Sequence, residues 1–285
     1  CSLSAGAGKA FAKALALNTS VTTFDCTGNR FRSPGALEFA ITLETNSPLK
    51  ILLCAGNDFG PVGGRAIANA FEINNKLEII ELGSGKLPAK IDVQALRQNT
   101  VGTEVYFNGE SSQLKDEGGT VLASLLRHNT SVTSVSVPGN RLGPLGAMAF
   151  GAMLENNHCL KSLDLSDNFI CQPQRGDMIT VGESSEQVMV TATDVDGSVL
   201  LNVVNRGRRE TLRLQTSEYE WDNVGISAIC LVLRAAHDAD QYKIGTLDIS
   251  GNSLGVSGGK IIVRALPAVE NLVIGSKEFG ATLPV

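Results

Sequence analysis

Aromatic side chains make up only 5 % of this 285-residue chain, and there is a single tryptophan. That is little for an enzyme core; it suits a core filled by recurring Leu, Ile, Val and Ala. A basic excess is also missing. The formal net charge is −5, which argues against a nucleic-acid binder or an anionic-membrane binder, since both need a dense positive field. The one basic cluster, Arg206-Gly207-Arg208-Arg209, reads as a solvated turn. No run approaches the roughly 18 apolar residues of a membrane span. The six cysteines form no CxxC and no compact framework, which argues against structural zinc and predicts a reduced, cytoplasmic compartment. No GxSxG, HExxH or Walker loop occurs, and His128, His158 and His237 stand apart. The expectation is therefore no catalytic constellation, no metal and no cofactor.

What the chain has is self-similarity. Apolar residues reach 43 % and charged residues only 19 %, enough for a sizeable core. Val21, Phe24, Cys26, Asn29 and Phe31 recur 28 positions later as Leu49, Leu52, Cys54, Asn57 and Phe59. Leu77, Ile80 and Leu82 follow after another 28. The pattern returns at Val132, Val135, Val137, Asn140 and Leu142, then at Leu160, Leu163, Leu165, Asn168 and Phe169, and again at Leu247, Ile249, Asn252 and Leu254. A second asparagine series repeats in the intervening segments, at Asn18, Asn46 and Asn74 and at Asn129 and Asn157. The steps from Asn74 to Asn99 and on to Asn129 are 25 and 30, so one unit is irregular. Asn18 and Asn129 also spell glycosylation sequons, but their shared repeat phase gives them a structural reason to be there. The chain opens at Cys1 inside a repeat, which predicts a piece of something longer.

These LxxLxLxxNxL units resemble the ribonuclease-inhibitor class of leucine-rich repeats, over residues 1–170 and about 210–285. That class includes ribonuclease inhibitor, NOD-like receptors, the Ran GTPase-activating protein and several cytoskeletal and flagellar proteins. The resemblance implies an α/β solenoid, a right-handed horseshoe arc of about nine repeats, with parallel strands on the concave side and helices on the convex side. Each position has a physical reason. The LxL alternation buries one face of a short strand. The asparagines Asn29, Asn57, Asn140, Asn168 and Asn252 end the strands, where an amide can bond the backbone groups that a turn leaves unpaired. Asn74 is expected at a solvated helix end, with a lesser structural share. Gly63-Gly64, Gly118-Gly119 and Gly258-Gly259 are expected to let helix and strand approach closely. One unit cannot bury its face alone; stacked units can.

The repeat fails after Phe169. Met178–Val181 and Gln187–Thr193 read as an inserted β-hairpin about the turn Gly182–Glu186, followed by a short helix from Ser198 to Asn205. Repeats are expected to resume at Leu212-Arg213-Leu214, with a helix near Gly225 to Ala236. The organisation expected is thus repeats over 1–170, an irregular insertion over 171–209, and repeats over 210–285. Asn168 and Asn252 are 84 apart, so two units could hide in the interval. Within the insertion, Arg175-Gly176-Asp177 spells an integrin tripeptide and reads as chance. Asp194-Val195-Asp196-Gly197 lacks the later ligands of a calcium loop and reads as a turn.

Function is then sought on the outward strand positions. Ile51, Leu53, Ile79 and Tyr106 should lie on neighbouring strands with Glu81 between them, and clustered surface apolar residues usually mark a partner site. The expectation is a non-catalytic scaffold that holds another protein on its concave face, as a subunit of a larger assembly, with no nucleic acid and no membrane insertion. A cytoskeletal or axonemal setting comes first and an immune-receptor sensor domain second. The alternative implied by the resemblance is a GTPase-activating protein like the Ran activator. The absence of any acidic run of five or more counts against it.

Overall fold

The computed structural model describes residues 2–45, 48–85, 87–110, 112–172, 178–181, 186–189, 192–193, 199–205, 208–214, 219–220, 223–275 and 282–284. Asn46, the Arg175-Gly176-Asp177 tripeptide, most of the Gly182–Glu186 turn and the Asp194–Gly197 turn lie outside the described residues.

Helix and short strand alternate along the chain. α1 (Ala5–Leu17), β1 (Thr23–Asp25), α2 (Arg32–Glu44), β2 (Ile51–Leu53), α3 (Gly60–Ala70) and β3 (Ile79–Leu82) make the first units. Their alternation holds one face inward: Leu52 and Ile80 are fully buried, while Ile51, Leu53, Ile79 and Glu81 are half-exposed. Burying one such aliphatic side chain contributes about 1.5–3 kcal/mol, repeated at every rung. Phe11, Phe24, Phe31, Phe39 and Phe59 pack ring to ring at 5.7–6.4 Å, forming an aromatic spine through the first units.

The next unit departs from the repeat. β4 (Ser84–Gly85) and β5 (Ala89–Asp92) precede a five-residue helix, α4 (Val93–Arg97), and then β6 (Glu104–Tyr106) and β7 (Ser112–Gln113). β5 pairs antiparallel with β3, placing Lys90 opposite Glu81 and Asp92 opposite Ile79. The sheet expected to run on from β3 to β6 therefore stops at β5, and the order of this first sheet is β1-β2-β3-β5. Asp92 ends the strand by capping α4, its carboxylate accepting from the Ala95 N–H at 2.8 Å. The helix is too short to fill its share of the helical layer, and Arg97 fills part of it. Its guanidinium donates to the Phe71 and Asn74 carbonyls beyond α3 and lies over the Phe71 ring.

Regular units resume with α5 (Lys115–Leu126), β8 (Ser134–Ser136), α6 (Pro144–Leu154) and β9 (Ser162–Asp164). Then come the insertion strands β10 (Met178–Val181), β11 (Glu186–Met189), β12 (Ala192–Thr193), β13 (Val199–Asn205), β14 (Arg208–Leu214) and β15 (Tyr219–Glu220). α7 (Val224–Asp238), β16 (Ile244–Asp248), α8 (Gly255–Ala265), β17 (Val269–Val273) and β18 (Thr282–Pro284) complete the chain. The second sheet has the order β18-β17-β16-β9-β8-β6, parallel except for β18.

Three expectations fail in and around the insertion. The hairpin forms, with Met178 opposite Met189 and Val181 opposite Glu186. The helix expected over Ser198–Asn205 is instead β13, whose Val-Leu-Leu-Asn-Val-Val run favours a strand and pairs antiparallel with β14. Leu212-Arg213-Leu214 belongs to that hairpin, so it is not a repeat strand. β9 pairs directly with β16, Ser162 opposite Thr246, so no unit is hidden between them. Among the described residues the strands of repeat type number eight (β1, β2, β3, β6, β8, β9, β16 and β17) against the nine expected.

The Gly63-Gly64 pair does something other than expected. A Cβ on Gly63 would stand 2.6 Å from the Ala36 Cβ of α2, and one on Gly64 would stand 2.5 Å from the Glu117 Cα of α5. This pair sets the spacing between helix and helix, whereas a Cβ on Gly118 or Gly119 would meet the Leu114 or Leu142 side chain and one on Gly259 would meet nothing within 4 Å.

Candidate functional site

The outward side chains of the first sheet lie in two cross-strand rows. One is Thr23, Ile51, Ile79, Asp92; the other is Asp25, Leu53, Glu81, Lys90. Ile51, Leu53, Ile79 and Glu81 are thus brought together as adjacent neighbours, an apolar centre with carboxylates on its borders. Tyr106 is not part of this group. It is 63 % exposed, but it sits on β6 at the edge of the second sheet, with β5 closing the first. Lys90 and Asp92 join the patch without having been sought there. The alternation Ala89-Lys90-Ile91-Asp92 is the sequence signal that would have found their strand.

Charge on this face is tuned by its surroundings. Burial raises the Glu81 carboxyl above its usual range, Lys90 pulls it back, and Asp25 raises it further. Asp25 itself is held low because the Thr27 N–H and hydroxyl donate to it. The outward rows of the second sheet are polar: Glu104, Ser134, Ser162, Thr246 and Asn271 in one, Tyr106, Ser136, Asp164, Asp248 and Val273 in the other. The carboxylates of Asp164 and Asp248 are occupied. Asp164 accepts from the Ser136 hydroxyl at 2.8 Å and from the Ser166 N–H at 2.9 Å, and Asp248 accepts from the Ser250 N–H and hydroxyl.

The strand-end asparagines link consecutive units. Asn57 donates to the Cys26 carbonyl of the preceding unit at 2.9 Å and to the Cys54 carbonyl of its own at 3.0 Å, and accepts from the Phe31 N–H. Asn140, Asn168 and Asn252 make the corresponding bonds to Phe107, Val137 and Leu165. Asn29 donates to the Cys26 carbonyl and accepts from the Leu3 N–H. The second series is equally engaged. Asn74, 1 % exposed, donates to the Leu43 carbonyl at 2.8 Å and accepts from the Lys76 and Leu77 N–H groups. The solvated position expected for Asn74 is therefore wrong. The last carbonyls of each helix lack partners within it, and the buried amide of the next unit supplies one. Asn129 and Asn157 repeat this on Leu96 and Leu126, so the Asn129 sequon is buried within the fold.

Burial holds four of the cysteines in the thiol form. Cys26, Cys54, Cys159, Cys171 and Cys230 are free thiols. Burial pushes Cys26 and Cys230 up to about 12, and Cys54 and Cys171 well above the usual thiol range. The Cys26 and Cys54 thiols point at the Leu53 and Glu81 carbonyls. Among the described residues no group of three or more His, Cys, Asp or Glu could hold a metal ion, and no helix is long and apolar enough to cross a membrane.

Set beside known proteins, residues 128–151 and 156–170 match the family described as Leucine Rich repeat. These two stretches cover β8, most of α6 and β9. No curated protein matches the chain. Among solved structures, the leiomodin-1 actin-binding site 2 is 15 % identical over 56 % of this chain and 77 % of that one, with a TM-score of 0.30.

Proposed function

We propose that this chain is a non-catalytic protein-binding scaffold, a solenoid of ribonuclease-inhibitor-like repeats that seats a partner protein on the strand face of its first sheet. The observation that carries this reading is the side-by-side placement of Ile51 and Ile79 with Leu53 next to them, on a face bordered by Asp25, Glu81 and Asp92. A folded domain normally buries such aliphatic groups, and a patch rimmed by polar side chains is how a partner surface is built. Three carboxylates against one Lys90 favour a partner segment with an apolar centre and cationic flanks, whose association rate falls as salt rises. Tyr106, on the neighbouring sheet, is a second contact of the same partner or a separate one. The reading places the chain in a larger intracellular, cytoplasmic assembly, cytoskeletal or axonemal in first place.

The test is to identify a protein retained from native extract, purify it, and titrate it against the wild-type chain and Leu53→Asp. The reading expects the variant to weaken binding at least tenfold, about 1.4 kcal/mol, with an unchanged circular dichroism spectrum. Equal affinity with an intact fold would move the partner site to another surface.

A further inference from the structure

We propose that the seam between α3 and α5 is a pH-operated hinge between the two sheets, worked by the side chain of Glu117. The geometry isolates this seam. Among the described residues β5 and β6 end their respective sheets and do not pair with each other, so the strand layer is interrupted there while α3 still packs on α5. The two halves are joined by the α3–α5 and α4–α5 contacts, the two-residue β4–β7 ladder with its Ser84–Gln113 side-chain bond, the Lys115–Asp58 ion pair at 3.3 Å and bonds from Ser124 to Ala68, from Asn129 to Leu96 and from Thr130 to Asn99. Three successive residues at the start of α5 brace the seam in different directions. Lys115 reaches back to Asp58. Asp116 reaches forward, accepting from the Gly143 and Gly146 N–H groups at the start of α6. Glu117 turns inward, 4 % exposed, with its backbone against Gly64.

The surroundings of Glu117 are poor at stabilising a charge. α3 meets it with Gly64, which has no side chain to offer a donor. The Cys54 thiol, just after β2 and directed at the Glu81 carbonyl, lies near enough to interact with its charge. Burial opposes the ionised carboxylate most of all; its own backbone N–H and Lys115 favour it, while Asp116 and Asp58 oppose it. The carboxyl is pushed up to about 7 from an ordinary value of 4.5. An acid raised in the closed seam favours closure while it is protonated. The closed state is therefore fully held below about pH 4.5, weakens as pH rises through 7, and changes no further above that. Between pH 6 and pH 8 this linkage multiplies the population of the open seam by about tenfold.

The experiment is hydrogen–deuterium exchange by mass spectrometry on the full chain at pH 6 and pH 8, corrected for intrinsic exchange, in the wild type and in Glu117→Gln. The expected result is about tenfold more opening at pH 8 in peptides of α3 and α5, unchanged protection in α7 and α8, and no pH effect in the variant. A pH response spread evenly over all helices, or one retained in Glu117→Gln, overturns the hinge. Should the variant fail to fold, the wild-type exchange pattern stands together with a carbon-13 titration of the Glu117 carboxyl. A midpoint near 7 supports the proposal, and one near 4.5 overturns it.

Discussion

Gly64 of α3 and Glu117 of α5 meet backbone to backbone, so closely that a Cβ on the glycine would stand 2.5 Å from the glutamate Cα. Neither helix can give way without disturbing its other neighbour, because Gly63 touches Ala36 of α2 and Asp116 binds the start of α6. Gly64→Ala is therefore expected to destabilise the chain by about 1–3 kcal/mol, despite the better helix propensity of alanine. Gly259→Ala is the control. It occupies a like-placed pair on α8 and has nothing within 4 Å, so it is expected to be neutral or to stabilise by up to about 1 kcal/mol. Urea melts of the two variants distinguish spacing from propensity; equal effects would refute the steric account.

The two asparagine series lead to a second prediction. Asn57 and Asn74 are each 1 % exposed, and each bonds the backbone of its own unit and of the unit before. Asn57→Ala and Asn74→Ala should cost similar amounts, about 1–3 kcal/mol, because each leaves buried backbone groups unpaired. A loss at Asn57 more than twice that at Asn74 in the same denaturant series would show that the helix-end amides are replaceable by water.

How much of this was legible in the sequence differs from residue to residue. The LxL strands and the strand-end asparagines are visible because each unit repeats the same physical problem with the same side chains. The burial of Asn74 is not legible, because a polar residue after a helix reads as solvated when that helix is considered alone. Its partner, the Leu43 carbonyl, belongs to the unit before. β5 is not legible either, because the 25-residue step from Asn74 to Asn99 says that something is deleted, not that four residues turn antiparallel onto β3. That pairing is decided by tertiary geometry, as is the choice of strand over helix for Val199–Asn205. The patch was found in part: Ile51, Leu53, Ile79 and Glu81 follow from repeat phase, while Lys90 and Asp92 do not.

A third prediction concerns the separation of the sheets. Leu53 and Tyr106 belong to different sheets, with β3 and β5 between β2 and the break. Their effects on partner binding should therefore add, within about 0.5 kcal/mol, in a double-mutant cycle of Leu53→Asp and Tyr106→Ala. A coupling above about 1 kcal/mol would mean that one partner group touches both side chains.

The insertion supplies a fourth. Among the described residues, β10–β15 pair only with one another, whereas β9 and β16 pair directly, and Asn252 donates to the Leu165 carbonyl at 2.8 Å. Replacing residues 178–220 with a short Gly-Ser link should leave the repeat array unfolding in one cooperative step, changed by no more than about 0.5 kcal/mol. A split or strongly shifted transition in calorimetry would place these strands within the core.

The direct neighbourhood of β9 and β16 also has a consequence in time. Other rungs close over about 28 residues of chain, but this one waits for 84. The entropic penalty of the longer closure is modest, about 1 kcal/mol. The delay during synthesis is not modest. At roughly 5–20 residues per second, the ribosome needs several seconds to deliver β16 after β9, whereas hairpins form in microseconds. Throughout that interval the nascent chain carries an unpaired strand edge at Ser162–Asp164, a surface on which another nascent copy can add its own strand. Aggregation during expression should then begin at this rung, and shortening the 84-residue interval should raise the soluble yield even where the final stability is unchanged.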